Sequence, residues 1–241
     1  MRTIFVRGTA VLASLIAALL LTFGCATATP EGRIVVRGAA GGSKLRLSTH
    51  GRALVVRGQM ASTHQVGCHA GSRRVVICSL RNVGEIEVDT GPHGDFVEVE
   101  DRLPVPLTAR LGDGSDKFIG GGEPDTCYSE GARRNRCIGG GGDDVCITGN
   151  QNSDCVGGGG NDYCQTGAGS DGCWGGPGDD VCHMGPGHDG CHGEGGRDEL
   201  FGGPSSDQLY GGEGLDRCDG LPGRGTSHDC EAGPRRCPPS S

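Results

Sequence analysis

Residues 157–165 read GGGGNDYCQ, a glycine run followed by an acid and then a cysteine. The same order returns at residues 139–147, GGGGDDVCI, and at residues 175–183, GGPGDDVCH. Between these copies lie looser ones, TGNQNSDCV from Thr148 and TGAGSDGCW from Thr166, so the true period is nine residues. Twelve consecutive units fit from Leu111 to Asp219, with one insertion, Ser129. A period this short and this regular marks a repeat architecture rather than a low-complexity tract. Each place in the unit has a physical reading. Glycine at places one, two and four permits positive φ and close backbone approach, so six residues make a tight turn. Aspartate at place six points into that turn. Places seven to nine form a short strand with place eight inward and its neighbours outward. Two units make one coil of strand, turn, strand and turn, and coils stack as parallel strands about 4.8 Å apart.

This pattern resembles the hemolysin-type, or RTX, calcium-binding nonapeptide GGxGxDxUx, where U is a large apolar residue. The resemblance implies an all-β fold, a right-handed parallel β-roll (a β-solenoid), over residues 111–219. It also implies several Ca2+ ions between stacked turns, held by backbone carbonyls and the place-six carboxylates. Carried over residue by residue, those carboxylates are Asp116, Asp125, Asp144, Asp162, Asp171, Asp180, Asp189, Asp198, Asp207 and Asp216. The chemistry supports the same ion independently. Calcium takes six to eight oxygen ligands, which glycine turns and carboxylates supply. Unneutralised carboxylates about 5 Å apart repel by about 0.8 kcal/mol per pair in water and about 3 kcal/mol at an effective dielectric of 20.

Alternate units fall on opposite edges of such a roll. One edge reads Asp125, Asp144, Asp162, Asp180, Asp198, Asp216 without a gap; the other reads Asp116, Asn135, Ser153, Asp171, Asp189, Asp207. One continuous file of sites and one interrupted around Asn135 and Ser153 are therefore expected. Asn135 offers a neutral oxygen, whereas Asp154 stands one place too late and should point away from its turn.

Eight consecutive units depart from the resemblance by placing cysteine at place eight: Cys127, Cys137, Cys146, Cys155, Cys164, Cys173, Cys182 and Cys191. Phe118, Leu200 and Leu209 keep the apolar type at the two ends. Reduced cysteine is a small hydrophobe and would underfill the core; paired, it would staple the two sheets. Cysteines eighteen apart share one sheet, so partners nine or ten apart, across the roll, suit disulfide geometry better. The simplest set is Cys127–Cys137, Cys146–Cys155, Cys164–Cys173 and Cys182–Cys191, with the set offset by one step as the alternative. A third reading, a soft-metal store using His183, His188 and His192, is disfavoured because the strand alternation turns His183 and His192 away from the cysteines.

The totals agree with a stapled, acidic, exported repeat. Glycine accounts for 49 of 241 residues, cysteine for 14, and aromatics for only 4%. Residues 111–219 carry 20 acids against 6 bases, while residues 29–110 carry 8 acids and 11 bases. That acidic tract repels nucleic acid and anionic membrane, so neither is an expected partner. The opening MRTIFVRGTAVLASLIAALLLTFGCATATP reads as a secretory signal peptide over residues 1–28, cleaved after Ala28, and its apolar run is too short to be a transmembrane segment. The alternative is a lipoprotein signal with Cys25 acylated, which would anchor the chain to the envelope. So many cysteines also point to an oxidising compartment.

Residues 29–110 read as alternating strands, a cap region covering the first coil, with one worn repeat, TGPHGDFVE, that puts Asp95 at place six. Cys68 and Cys78 flank a turn and are expected to pair. Residues 220–241 form a Cys- and Pro-containing tail with Cys230 and Cys237. No Gly-x-Ser-x-Gly, His-Glu-x-x-His or Walker loop occurs, and His50, His64, His69 and His93 read as surface residues. The expectation is a secreted, non-enzymatic calcium-binding module, or alternatively a surface adhesive or coat component that uses the roll as a spacer. No protein or glycan partner is indicated.

Overall fold

The computed structural model describes residues 26–28, 32–39, 41–59, 67–72, 74–131, 133–220, 222–223 and 225–231. Cys25, His64, Cys237 and most of the expected signal peptide lie outside them. The strands, in chain order, begin with β1 (Ala26–Ala28), β2 (Arg33–Arg37), β3 (Lys44–His50), β4 (Ala53–Gly58), β5 (Cys68–Ser72) and β6 (Val75–Ser79). Then come β7 (Glu85–Asp89), β8 (Phe96–Val99), β9 (Leu107–Arg110), β10 (Lys117–Ile119), β11 (Thr126–Ser129) and β12 (Arg136–Gly141). These are followed by β13 (Val145–Thr148), β14 (Asp154–Gly159), β15 (Tyr163–Gln165), β16 (Gly172–Pro177) and β17 (Val181–His183). The last are β18 (Gly190–Gly196), β19 (Glu199–Phe201), β20 (Gln208–Gly214), β21 (Arg217–Asp219) and β22 (Thr226–His228). None of the described elements is a helix, and so none is a helix long and apolar enough to cross a membrane.

Successive repeats alternate between two sheets, giving the expected β-roll. A ten-stranded sheet runs β1-β2-β7-β9-β11-β13-β15-β17-β19-β21, and a twelve-stranded sheet runs β22-β20-β18-β16-β14-β12-β10-β8-β3-β4-β6-β5. From β13 onward the register step is eighteen residues: Cys146 pairs with Cys164, and Cys155 with Cys173. No break falls at residue 110. Strands β2, β7 and β9 of the expected cap pair in parallel with one another and with β11, and β3 and β8 do the same beside β10. The stacking therefore starts near residue 33. The true end-piece of the twelve-stranded sheet is the antiparallel set β3-β4-β6-β5, joined through Cys68–Cys78. At the edge of the other sheet, Ala26–Ala28 pairs antiparallel with β2.

The core is one column of place-eight side chains whose chemistry changes along its length. Leu45, Val97 and Phe118 lead into Cys137, Cys155, Cys173 and Cys191 on one sheet and end at Leu209, all essentially solvent-free. The other sheet runs Val36, Val88, Ala109, Cys127, Cys146, Cys164, Cys182, Leu200 and Cys218. Aliphatic residues thus fill the first coils, and sulfur fills the middle.

The disulfides take the offset register, not the simplest one. The bonded pairs are Cys137–Cys146, Cys155–Cys164 and Cys173–Cys182, with Cα separations of 6.1, 6.3 and 6.7 Å, and Cys127 and Cys191 remain buried thiols. The spacing is nine residues in both directions except for the ten between Cys127 and Cys137, so it does not choose between the two sets. A cysteine inside the column faces two candidates across the core, as the sulfurs of Cys164, Cys173 and Cys182 show by lying within 4.8 Å of one another. Cys218, by contrast, pairs with Cys230 in the tail. On the chain-entropy account each ten-residue loop contributes about 2.7 kcal/mol. Non-reducing peptide mapping is expected to recover the Cys137–Cys146 link and to find Cys127 alkylated only after denaturation, since burial also raises its pKa. A Cys127–Cys137 link would show the other register.

Candidate metal centre

The three disulfides of the column all close turns on the same edge, those containing Asp144, Asp162 and Asp180. Here the strands do not stop at the cysteine. β12, β14, β16, β18 and β20 run on into the glycines of the turn, where Gly140 pairs with Gly158 and Glu194 with Gly212. Positive φ is needed at places two and four, with 118° and 99° at Gly140 and Gly142 and 121° and 126° at Gly158 and Gly160. Place one needs glycine for space instead. A Cβ on Gly175 would lie 2.2 Å from Asp180 Oδ2 and 2.8 Å from the Gly193 carbonyl oxygen. Gly193 repeats this with Asp198 Oδ2 at 2.2 Å and the Gly211 oxygen at 2.6 Å. The absent side chain leaves a cradle flanked by a carboxylate and by a carbonyl of the next coil.

From Asp144 on, each place-six carboxylate of this edge is held by one oxygen only. Asp144 Oδ1 accepts the N–H of Asp125 at 2.7 Å, Asp162 Oδ1 that of Asp144 at 2.8 Å, and Asp180 Oδ1 that of Asp162 at 2.7 Å. Asp198 and Asp216 continue the ladder at 2.8 and 2.9 Å. At its start, Leu107 stands where an aspartate would, and its N–H donates to Asp125 Oδ1. The other oxygens, Oδ2 of Asp144, Asp162, Asp180, Asp198 and Asp216, are buried with no hydrogen-bond partner. A buried carboxylate oxygen left so costs about 1–3 kcal/mol or more, and one such atom per coil is a systematic deficit.

Protonation states reflect that deficit. Burial raises the Asp144 carboxyl to about 8, with Asp162, Asp125 and Asp143 adding repulsion against the pull of the Asp125 N–H. Asp180 rises to about 7, and Asp125, Asp162 and Asp198 to about 6, in each case chiefly through desolvation. On the outer side of the same turns a second ladder runs the opposite way at place five: Asp143 accepts from the Asn161 N–H, Asn161 from Asp179, and Asp179 from Arg197.

The opposite edge is built differently. Gly149, Gly167, Gly169, Gly185 and Gly187 all lie outside the positive-φ region, although Gly112, Gly114 and Gly203 are in it. Asp95 and Asp116 sit side by side as the worn repeat suggested, with the Asp95 N–H donating to Asp116 Oδ1 at 2.9 Å. Asp171, Asp189 and Asp207 form a second ladder at 2.8 and 3.1 Å, beginning at the N–H of Ser153. Burial raises all of these carboxyls, Asp116 and Asp189 to about 6, while the N–H groups of Ser43 and Ser153 ease Asp95 and Asp171 partway back. Asp154 points outward to Arg134, 3.0 Å away.

The coil around Asn135 satisfies itself. Asn135 Oδ1 accepts the Asp116 N–H at 3.0 Å, as an aspartate would, while its Nδ2 donates to the Ser129 carbonyl at 2.9 Å. Ser129 Oγ donates to Asp116 Oδ2 at 2.9 Å, and Asp125 Oδ2 accepts the Gly121 N–H at 2.7 Å. Ser129 is not the extra residue in space. It pairs with Thr148 at place one, so the insertion lies within residues 130–134. The ladder stops between Asn135 and Ser153, whose hydroxyl turns to the Gln151 carbonyl.

Among the described residues, no histidine shares a metal site with sulfur. His183 stacks on Phe201 at 4.5 Å and His192 on Tyr210 at 4.6 Å, both on the outer faces, and His50, His69 and His93 are exposed.

Residues 156–190 and 192–226 match the family model of the RTX calcium-binding nonapeptide repeat. These segments are RTX repeats. The match covers less than a third of the chain, and the coils before residue 156 stack in parallel on the matched ones. No curated protein and no solved structure matches the chain. One ladder residue had no signal in the repeat pattern: Glu231, whose Oε2 accepts the Asp216 N–H at 2.9 Å, lies beyond the matched RTX segments.

Proposed function

We propose that the chain is an exported calcium-binding β-roll whose ions take the place of the missing partners of the place-six carboxylates. The observation that carries this reading is the file of orphaned Oδ2 atoms at Asp144, Asp162, Asp180, Asp198 and Asp216. A hard divalent cation that prefers oxygen supplies what those atoms lack. Along that edge these carboxylates and the facing glycine carbonyls would hold the ions, and Asp171, Asp189 and Asp207 offer the same on the other. Asp116 and Asp125, already hydrogen-bonded at both oxygens, are the weakest of the ten candidates. The bound ions would neutralise the ladder charge, and each site adds about 1.4–2.7 kcal/mol at free calcium 10–100 times its Kd.

Export follows the same logic. Calcium is scarce inside cells and abundant outside, and disulfides form in oxidising compartments, so both staples would be completed after the chain leaves the cytoplasm. The role is structural or binding rather than catalytic. Asp162→Asn tests the assignment, because an amide keeps an acceptor for the Asp144 N–H while removing the charge. Calorimetric titration is expected to show at least one calcium ion fewer, with magnesium a poor substitute in both proteins. Equal stoichiometry in variant and parent would sink the assignment.

A further inference from the structure

We infer that the calcium file extends past the last nonapeptide repeat, and that Glu231 closes an additional divalent-cation site over Asp216. The inference rests on the calcium reading above and adds to it a ligand from the tail. Strand β22 lies eighteen residues after β20 and pairs with it in register, Gln208 to Thr226 and Tyr210 to His228. The chain therefore enters one more turn on the carboxylate edge, with Asp229 at place one, Cys230 at place two and Glu231 at place three.

That turn copies the preceding ones by different means. A Cβ on Gly211 would lie 2.0 Å from the Asp229 carbonyl oxygen and 2.5 Å from Asp216 Oδ2. This is the same pair, a carboxylate oxygen and the place-one carbonyl of the next coil, that surrounds Gly175 and Gly193. Asp229 adopts φ 53°, a left-handed conformation unusual for a non-glycine residue. Glu231 then does two jobs that two residues share elsewhere. Its N–H donates to the Asp216 carbonyl at 3.0 Å, as the place-seven Arg217 N–H does to Asp198 at 2.8 Å. Its Oε2 accepts the Asp216 N–H, as a place-six Oδ1 does in every coil before it. The longer glutamate side chain lets place three reach where place six would stand. The Cys218–Cys230 disulfide, Cα to Cα 5.9 Å, fixes the neighbouring residue to the core.

The second, independent observation is Asp216 itself. It is fully buried, its Oδ1 is taken by the Asp198 N–H, and its Oδ2 has no partner. Without Glu231 the last carboxylate would be a terminus of the ladder. With it, Asp216 lies between two carboxylate-bearing coils, like Asp162 and Asp180.

The test uses the full oxidised protein and calcium alone, followed by calorimetry. Glu231→Gln keeps an oxygen acceptor for the Asp216 N–H and removes the charge. It is expected to lower the affinity of one site at least tenfold or to remove it from the stoichiometry. Glu213→Gln, at place three of the preceding turn with an exposed side chain outside the ladder, is expected to leave stoichiometry and affinity unchanged. Equal binding by parent and Glu231→Gln overturns the inference, as does an equal loss in both variants, which would mark a general charge effect. Absence of calcium binding by the parent would overturn the calcium reading, and this inference with it.

Discussion

When calcium is stripped from the oxidised protein, the amides of residues 139–219 are expected to exchange fast while those of residues 33–131 stay protected. The boundary follows from which carboxylates have protein partners. Asp116 is met by the Ser129 hydroxyl, Asp125 by the Gly121 N–H, and Asn135 carries its own donors to the Ser129 carbonyl. From Asp144 onward the second carboxylate oxygen on the continuous edge has no partner. The core reinforces the boundary, because the early coils bury Leu45, Leu47, Leu54, Val97 and Phe118, whereas the middle coils bury sulfur. Losing several sites, each worth about 1.4–2.7 kcal/mol at 10–100 times Kd, would remove an amount comparable with a typical domain's whole stability of about 5–15 kcal/mol. The three cross-core disulfides would keep the released segment compact without keeping its amide ladder closed. Hydrogen exchange read by mass spectrometry distinguishes the outcomes. Uniform loss of protection, or earlier loss in residues 33–131, would contradict this division of the roll.

The parts of this fold that were legible in the sequence are those fixed by period and by residue type. Ten aspartates at place six are all found in the turns, eight of them with an unpartnered oxygen, and Asp95 joins them from a unit with few glycines. Asp154 could be set aside by position alone, since a strand turns successive side chains to opposite faces. Three features were not legible, each for a physical reason. The disulfide register depends on which of two facing sulfurs is chosen, and spacings of nine or ten residues are silent on that choice. The start of the roll at β2 was hidden because its early turns are irregular in length and the excursion of residues 51–84 through β4, β5 and β6 separates β3 from β7. Glu231 was hidden because its backbone sits at the wrong place of the unit, and only the length of its side chain corrects the difference. Ser129 is a milder case: sequence identified an insertion there, whereas the pairing with Thr148 moves the extra residue into the turn.

Acid should substitute for calcium. In the calcium-free roll, burial raises the folded-state carboxyl of Asp144 to about 8, of Asp180 to about 7, and of Asp162 and Asp198 to about 6, against an unfolded value near 3.9. A carboxyl with a raised folded pKa binds its proton more tightly when folded. Its contribution is therefore complete below about pH 4 and is lost as pH rises through the folded values, here from about 6 to 8. Neighbouring carboxylates in the ladder repel one another, so the protons leave in several steps across that window rather than in one. The calcium-stripped, oxidised protein is thus expected to unfold at higher urea concentration at pH 5 than at pH 8. With saturating calcium the order should invert, because protons compete with the ion for the same oxygens and the competition fades as pH rises. Urea midpoints at the two pH values, with and without calcium, give the four numbers required. A calcium-free protein that is more stable at pH 8 than at pH 5 would mean that the buried carboxylates are ionised at no cost, and the orphaned oxygens would then no longer argue for a cation.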